Sequence, residues 1–140
     1  MFEKIINSKS IFSVGLSNNK EVDSDGIIIA TKSSMKKSLD KINYDYALID
    51  SVDLMINKPY FNFNKADSIS VSVAAASIIA KVCRDSMMSN IYDKLYPDYF
   101  FKNNKGYGSN KHIEIMKNIG LCPIHRKTFK PNSELIRKWD

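Results

Sequence analysis

No stretch of this sequence is apolar for long enough to cross a bilayer. The longest apolar-rich run, residues 71–82, is broken by Ser72 and Ser77 and falls short of the roughly 20 residues a spanning helix needs. The N-terminus, Met-Phe-Glu-Lys-Ile-Ile-Asn, lacks the basic region and long apolar core of a secretory signal. Cysteine is nearly absent. Cys83 and Cys122 stand at no metal-ligand spacing and suit reduced packing residues. The expectation is therefore a cytoplasmic protein without a membrane partner. Internal repeats and low-complexity linkers are also missing, and 140 residues are enough for one domain but too few for two.

Acidic residues are missing from one place in particular. Residues 1–100 hold twelve Lys/Arg and twelve Asp/Glu, and residues 131–140 hold two of each. Residues 101–130 hold seven basic side chains (Lys102, Lys105, Lys111, Lys117, Arg126, Lys127, Lys130) against Glu114 alone. The whole net charge of +6 sits in this block, beside Tyr107, His112, His125 and Phe129. Cations that neutralise phosphates, interleaved with rings that pack on bases or sugars, suit a nucleic-acid backbone. A solvated, lysine-rich surface has the same composition, so charge alone leaves both readings open.

The alternating run Ile11–Leu16 predicts a strand. Asp23, Ser24 and Asp25 offer caps to a following helix on which Ile27, Ile28, Met35, Leu39 and Ile42 recur at helical spacing. Residues 46–50, Tyr-Ala-Leu-Ile-Asp, predict a short buried strand ending in a carboxylate. Residues 57–66 read as a loop with a short strand. A long helix follows from about Ser68, with Val71, Ala74, Ala75, Ile78, Val82 and Met88 on one face, and Pro97 ends it. Lys105–Gly108 is a turn, Ser109 caps a helix carrying Ile113, Met116 and Ile119, and Gly120 stops that helix. Strands alternating with helices argue for an α/β domain.

Two carboxylates are placed for chemistry. Asp50 closes a strand and so projects from the carboxyl edge of the sheet, where α/β enzymes place their sites. Asp67 lies where the long helix begins. Singly, each has an ordinary explanation, a turn residue and a helix cap. Together they could hold Mg²⁺ or Mn²⁺, hard cations that favour carboxylate oxygen.

Residues 75–85, Ala-Ala-Ser-Ile-Ile-Ala-Lys-Val-Cys-Arg-Asp, closely resemble a helix of the type 2 ribonucleases H, the ribonuclease HII family. Lys65-Ala66-Asp67 resembles the Lys-Gly/Ala-Asp motif before it. Leu48-Ile49-Asp50 resembles a strand ending Val/Ile-Asp-Gly, with Ser51 in place of the glycine. Tyr96-Pro97, Lys105-Gly106-Tyr107-Gly108 and Ile124-His125-Arg126-Lys127-Thr128-Phe129 follow in the family's order. Glu21-Val22-Asp23 through Met35 aligns as well, although Gly26 replaces an expected Asn.

The resemblance implies an α/β, ribonuclease H-like mixed sheet with flanking helices. It implies one partial domain over residues 1–140, truncated at the N-terminus with the first strands missing, and a basic helical region from about 97 to 140. It implies an Mg²⁺- or Mn²⁺-dependent endonuclease that cuts at ribonucleotides in RNA–DNA hybrids or in DNA duplexes, leaving 5′-phosphate and 3′-hydroxyl ends. Asp50 and Asp67 would be the third and fourth carboxylates of a two-metal site. Lys105 and Tyr107 would contact the substrate, and His125 and Arg126 would contact phosphate or support the site. The Asp-Glu-x-Gly-Arg-Gly motif that carries the first two carboxylates has no counterpart here. Fixing two ions takes more negative charge than two aspartates provide, so the chain alone is expected to be impaired. The alternatives are half of a split enzyme completed by a separate chain, a non-catalytic nucleic-acid-binding remnant, and a decayed fragment.

Overall fold

The apolar run ending at Asp50 forms a strand. In the computed structural model, which describes residues 1–136, β1 (Ala47–Asp50) lies parallel to β2 (Tyr60–Phe63). Ala47 faces Tyr60 and Asp50 faces Phe63 in the ladder. Side chains alternate across a strand, so Ala47 and Ile49 turn inward while Leu48, opposite Phe61, is exposed with it. Residues 51–59 connect the strands as a loop, with Ser51 and Met55 at positive φ and Leu54 folded under to only 1% exposure. The last four residues of the expected basic C-terminal region lie outside the described residues.

The chain packs as two units: Met1–Ser17 with Asp25–Val82, and Asn18–Ser24 with the residues from Cys83 onward. In the first, Ala47, Ile49 and Leu54 form the core, with Met35, Leu39, Tyr44, Val52, Ile56 and Tyr60 against it. It holds α1 (Phe2–Ile6), α3 (Ile27–Leu39), both strands, α4 (Ala66–Ile69) and most of α5 (Val71–Met87). The strand expected over Ile11–Leu16 does not form. Alternation marks an extended chain, but a strand also needs a ladder partner, and here the segment lies along α3. The Ser13 hydroxyl donates to the Ser38 carbonyl, Lys37 Nζ donates to Leu16 O (3.0 Å) and Lys41 Nζ to Val14 O (3.1 Å).

Asp23, Ser24 and Asp25 do not cap α3. They close the preceding helix α2 (Asn19–Asp25), and Gly26, at φ 85°, makes the break. On α3 the buried side is Ala30 with Met35 and Leu39, while Ile27 and Ile28 are exposed. The long helix starts at Val71 rather than Ser68. Ser70 is extended and separates it from α4, so Ser70, not Asp67, stands at its N-terminus, its hydroxyl 3.5 Å from the Val73 N–H. Ile79 is the buried residue of α5, and Val71 is 87% exposed.

In the second unit α5 continues through a π-helical segment (Met88–Tyr92) into α6 (Asp93–Leu95), and Pro97 follows. The core is Tyr99, Phe101, Met116, Cys122 and Leu135. These come from the short helix α7 (Phe101–Asn104), from α8 (Asn110–Ile119), from α9 (Asn132–Ile136) and from the loops between them. Ser109 and Gly120 bound α8 as expected; Ser109 Oγ accepts the His112 N–H, and Gly120 takes φ 83°. Ile119 is exposed, and His112 shares the buried side with Met116. The class is α/β, as the alternation of elements predicts. Among the described residues, no helix is long and apolar enough to cross a membrane.

Candidate functional site

Asp50 is fixed by its own neighbourhood. One carboxylate oxygen accepts the backbone N–H of Ala66 at 3.0 Å and the Ser51 hydroxyl at 2.9 Å. The first bond reaches from the end of β1 to the start of α4, so the residue after Ala66, Asp67, is carried to the same end of the strand pair. Lys65, at φ 58°, makes the left-handed turn that aims α4 this way. Asp67 is exposed, and the Ser68 hydroxyl lies 3.5 Å from its carboxylate. The second oxygen of Asp50 takes no part in either bond. Among the described residues, no group of three or more His, Cys, Asp or Glu side chains converges as a metal cage.

The other predicted residues belong to the second unit. Lys105 and Gly106 both take positive φ (52° and 73°), which turns the chain sharply after α7. A side chain at Gly106 would meet that φ and stand 3.0 Å from Met88 Cε. Lys105 Nζ donates to Ser89 Oγ and to the Lys102 carbonyl. Tyr107 is half exposed, and the Arg84 guanidinium lies 4.5 Å from its ring centroid, within cation–π range. Arg84 is also paired with Asp85 at 3.2 Å.

Arg126 packs its guanidinium 3.9 Å over the Phe129 ring. Burial of the group and the charge of Arg84 push its pKa down, while Asp23 pulls it up. It remains a cation at neutral pH. His125 beside it is buried, its ring stacked on His112 at 5.3 Å and tilted against Tyr99 at 5.1 Å.

Asp23, expected from the sequence only as a helix cap, has a different role. Its carboxylate accepts the backbone N–H groups of Lys127 (2.8 Å) and Thr128 (3.0 Å) and the Thr128 hydroxyl (2.7 Å). Burial alone would raise its pKa, but these hydrogen bonds and the charge of Arg126 outweigh it and hold the carboxyl below its usual range. Asp23 thus clasps the segment that bears Arg126. Asn104 carries no sequence signal and His112 stood out only as a ring beside the basic block; both lie directly behind the Lys105–Tyr107 turn.

Residues 3–132 match the family model described as Ribonuclease HII. The chain belongs to the ribonuclease HII family. Ribonuclease HII of Enterococcus faecalis is 41% identical over 138 residues, covering 97% of this chain and 54% of that protein. Ribonuclease HII of Listeria innocua is 42% identical over 136 residues, covering 96% and 52%. Ribonuclease HII of Acholeplasma laidlawii is 40% identical over 140 residues, covering 99% and 68%. The chain thus spans about half the length of the first two relatives.

Proposed function

We propose that this ribonuclease HII family chain serves an endonuclease that hydrolyses the phosphodiester at ribonucleotides in RNA–DNA hybrids or in ribonucleotide-bearing DNA. The observation that carries the reading is the hydrogen bond from Ala66 N–H to Asp50, which brings Asp67 to the end of the strand that Asp50 closes. Carboxylate oxygens are hard donors that suit Mg²⁺ or Mn²⁺, and Asp50 and Asp67 would hold such an ion. A bound ion of this kind supplies Lewis acidity and an activated water. In this reading Lys105 and Arg126 neutralise backbone phosphates, Tyr107 packs against a sugar, and the buried His125 supports the segment that carries Arg126.

Two carboxylates fall short of what a metal pair requires. The proposal therefore takes in further carboxylates, supplied by more of the same polypeptide or by a separate chain, and low activity for these 140 residues alone. The test is cleavage of a labelled DNA duplex containing one ribonucleotide, with Mg²⁺ or Mn²⁺. Little or no cutting is expected from the chain alone. Metal-dependent cutting that Asp50→Asn abolishes would establish the activity and overturn the impairment.

A second reading, duplex binding without catalysis, is favoured by the basic block at residues 101–130. It predicts binding that weakens with salt and ignores EDTA.

A further inference from the structure

Behind the Lys105–Tyr107 turn the second unit holds a column of polar side chains. Asn104 is its outer member. Asn104 Oδ1 accepts the Gly106 N–H at 2.7 Å, and its Nδ2 donates to the Tyr99 carbonyl at 2.8 Å. The same Nδ2 lies 3.2 Å from His112 Nδ1. His112, only 2% exposed, meets His125 through Nε2 on both rings at 3.3 Å. His125 Nδ1 closes the column on Cys122, 3.0 Å from its N–H and 3.2 Å from its carbonyl oxygen.

Two facing Nε2 atoms can bond only if one carries a proton and the other does not. That single choice propagates along the column. If the Cys122 N–H occupies His125 Nδ1, the shared proton belongs to His125 and His112 must carry its own on Nδ1. There it faces the Asn104 amide, itself a donor, and has the Tyr99 carbonyl as its acceptor. If Asn104 donates to His112 Nδ1, the shared proton belongs to His112, and His125 donates to the Cys122 carbonyl. The first keeps the Cys122 N–H on His125 Nδ1. The second sets that N–H against a protonated Nδ1 and gives Asn104 both amide bonds. In either, the Asn104 oxygen grips Gly106. The burial of both rings makes the choice costly to disturb, because an unmatched polar atom there has no water to turn to.

We propose that Asn104, backed by the His112–His125 pair, is the positioning residue that fixes the Lys105–Gly106–Tyr107 turn for its nucleic-acid ligand. This rests on the reading of that turn as a substrate contact. Asn104 touches no ligand in this scheme. Its side chain acts on the turn through the Gly106 N–H, next to the Tyr107 N–H that the backbone carbonyl of residue 104 accepts at 2.9 Å.

The test uses the full chain. Amide exchange at Gly106 and the imidazole ¹⁵N shifts of His112 and His125 are measured by NMR. Affinity for a DNA duplex with one ribonucleotide is measured by anisotropy in EDTA. Wild type is compared with Asn104→Ala, His112→Gln, Tyr107→Ala and the Asn104→Ala/Tyr107→Ala double variant.

In the wild type the ¹⁵N shifts should show two neutral rings that share one proton between their facing Nε2 atoms. Asn104→Ala should speed Gly106 exchange and weaken binding, each by about tenfold, the scale of one lost hydrogen bond. In the Tyr107→Ala background it should cost nothing further. Unchanged Gly106 exchange, or an Asn104→Ala loss as large without Tyr107 as with it, would overturn the proposal. His112→Gln carries the same comparison should Asn104→Ala lose cooperative unfolding. Wild-type binding by Tyr107→Ala would instead sink the substrate reading of the turn, and the exchange rates tell that failure from a failure of positioning.

Discussion

An imidazole taken out of water gives up its charge readily, and His125 shows by how much. Burial pushes its pKa down to about 4; the Cys122 carbonyl opposes the shift and the neighbouring His112 adds to it. The folded pKa lies below the unfolded value of about 6.5, so the unfolded chain binds more protons between these limits. Stability from this residue is complete above the unfolded pKa and drains away as pH falls from about 6.5 toward 4. The gap corresponds to roughly 3 kcal/mol. Urea unfolding at a series of pH values should show that decline, and His125→Gln should flatten it; an equal slope in both proteins would assign the loss to other groups. The strand end at Asp50 and the turn at Lys105–Tyr107 were legible because each sits in a short motif with its own local geometry. The bonds of Asp23, His112 and Asn104 were not. Asp23 finds its partners more than a hundred positions away, and no local pattern announces such a bond.

At the scale of elements, legibility followed how much of each signal was local. The strand at Asp50, the Lys105–Gly108 turn and the helix from Ser109 to Gly120 carry their start and stop signals within a few residues, and all three formed. Residues 11–16 carry the alternation of a strand, but their backbone is engaged by Lys37 of α3 and by Lys41 just beyond it. The cost of that arrangement falls on Gly15. A Cβ there would stand 1.9 Å from Ser34 O and 2.7 Å from Ser38 N, both backbone atoms of a helix that cannot shift alone. Gly15→Ala should therefore destabilise the chain by about 2 kcal/mol or more, as overpacking against backbone does. Thermal unfolding checks this; a Tm equal to wild type would show that the segment can lift away from α3 at no cost.

Across the whole molecule, family membership was readable because many weak motifs follow one another in a fixed order, and order survives where single residues vary. Burial was less readable. Leu48, Phe61, Ile28 and Ile69 look like core residues in the sequence yet lie exposed. Apolar character says what a side chain favours; what covers it is a property of the packed chain. The charge, by contrast, was readable in full. If the basic block binds duplex through phosphates, the logarithm of the binding constant should fall linearly with the logarithm of salt concentration. Lys105→Ala and Arg126→Ala should each lower that slope by about 1. A slope unchanged in both variants would move the contact to other cations.

The two-stranded sheet has a practical consequence. Among the described residues, β1 and β2 are strand partners only to each other. The outer edge of each leaves backbone donors and acceptors for another chain to meet, with the exposed Leu48 and Phe61 beside them. Such edges are templates for aggregation. For a preparation of these 140 residues, they make protein concentration and storage time conditions that govern how long the sample stays clear.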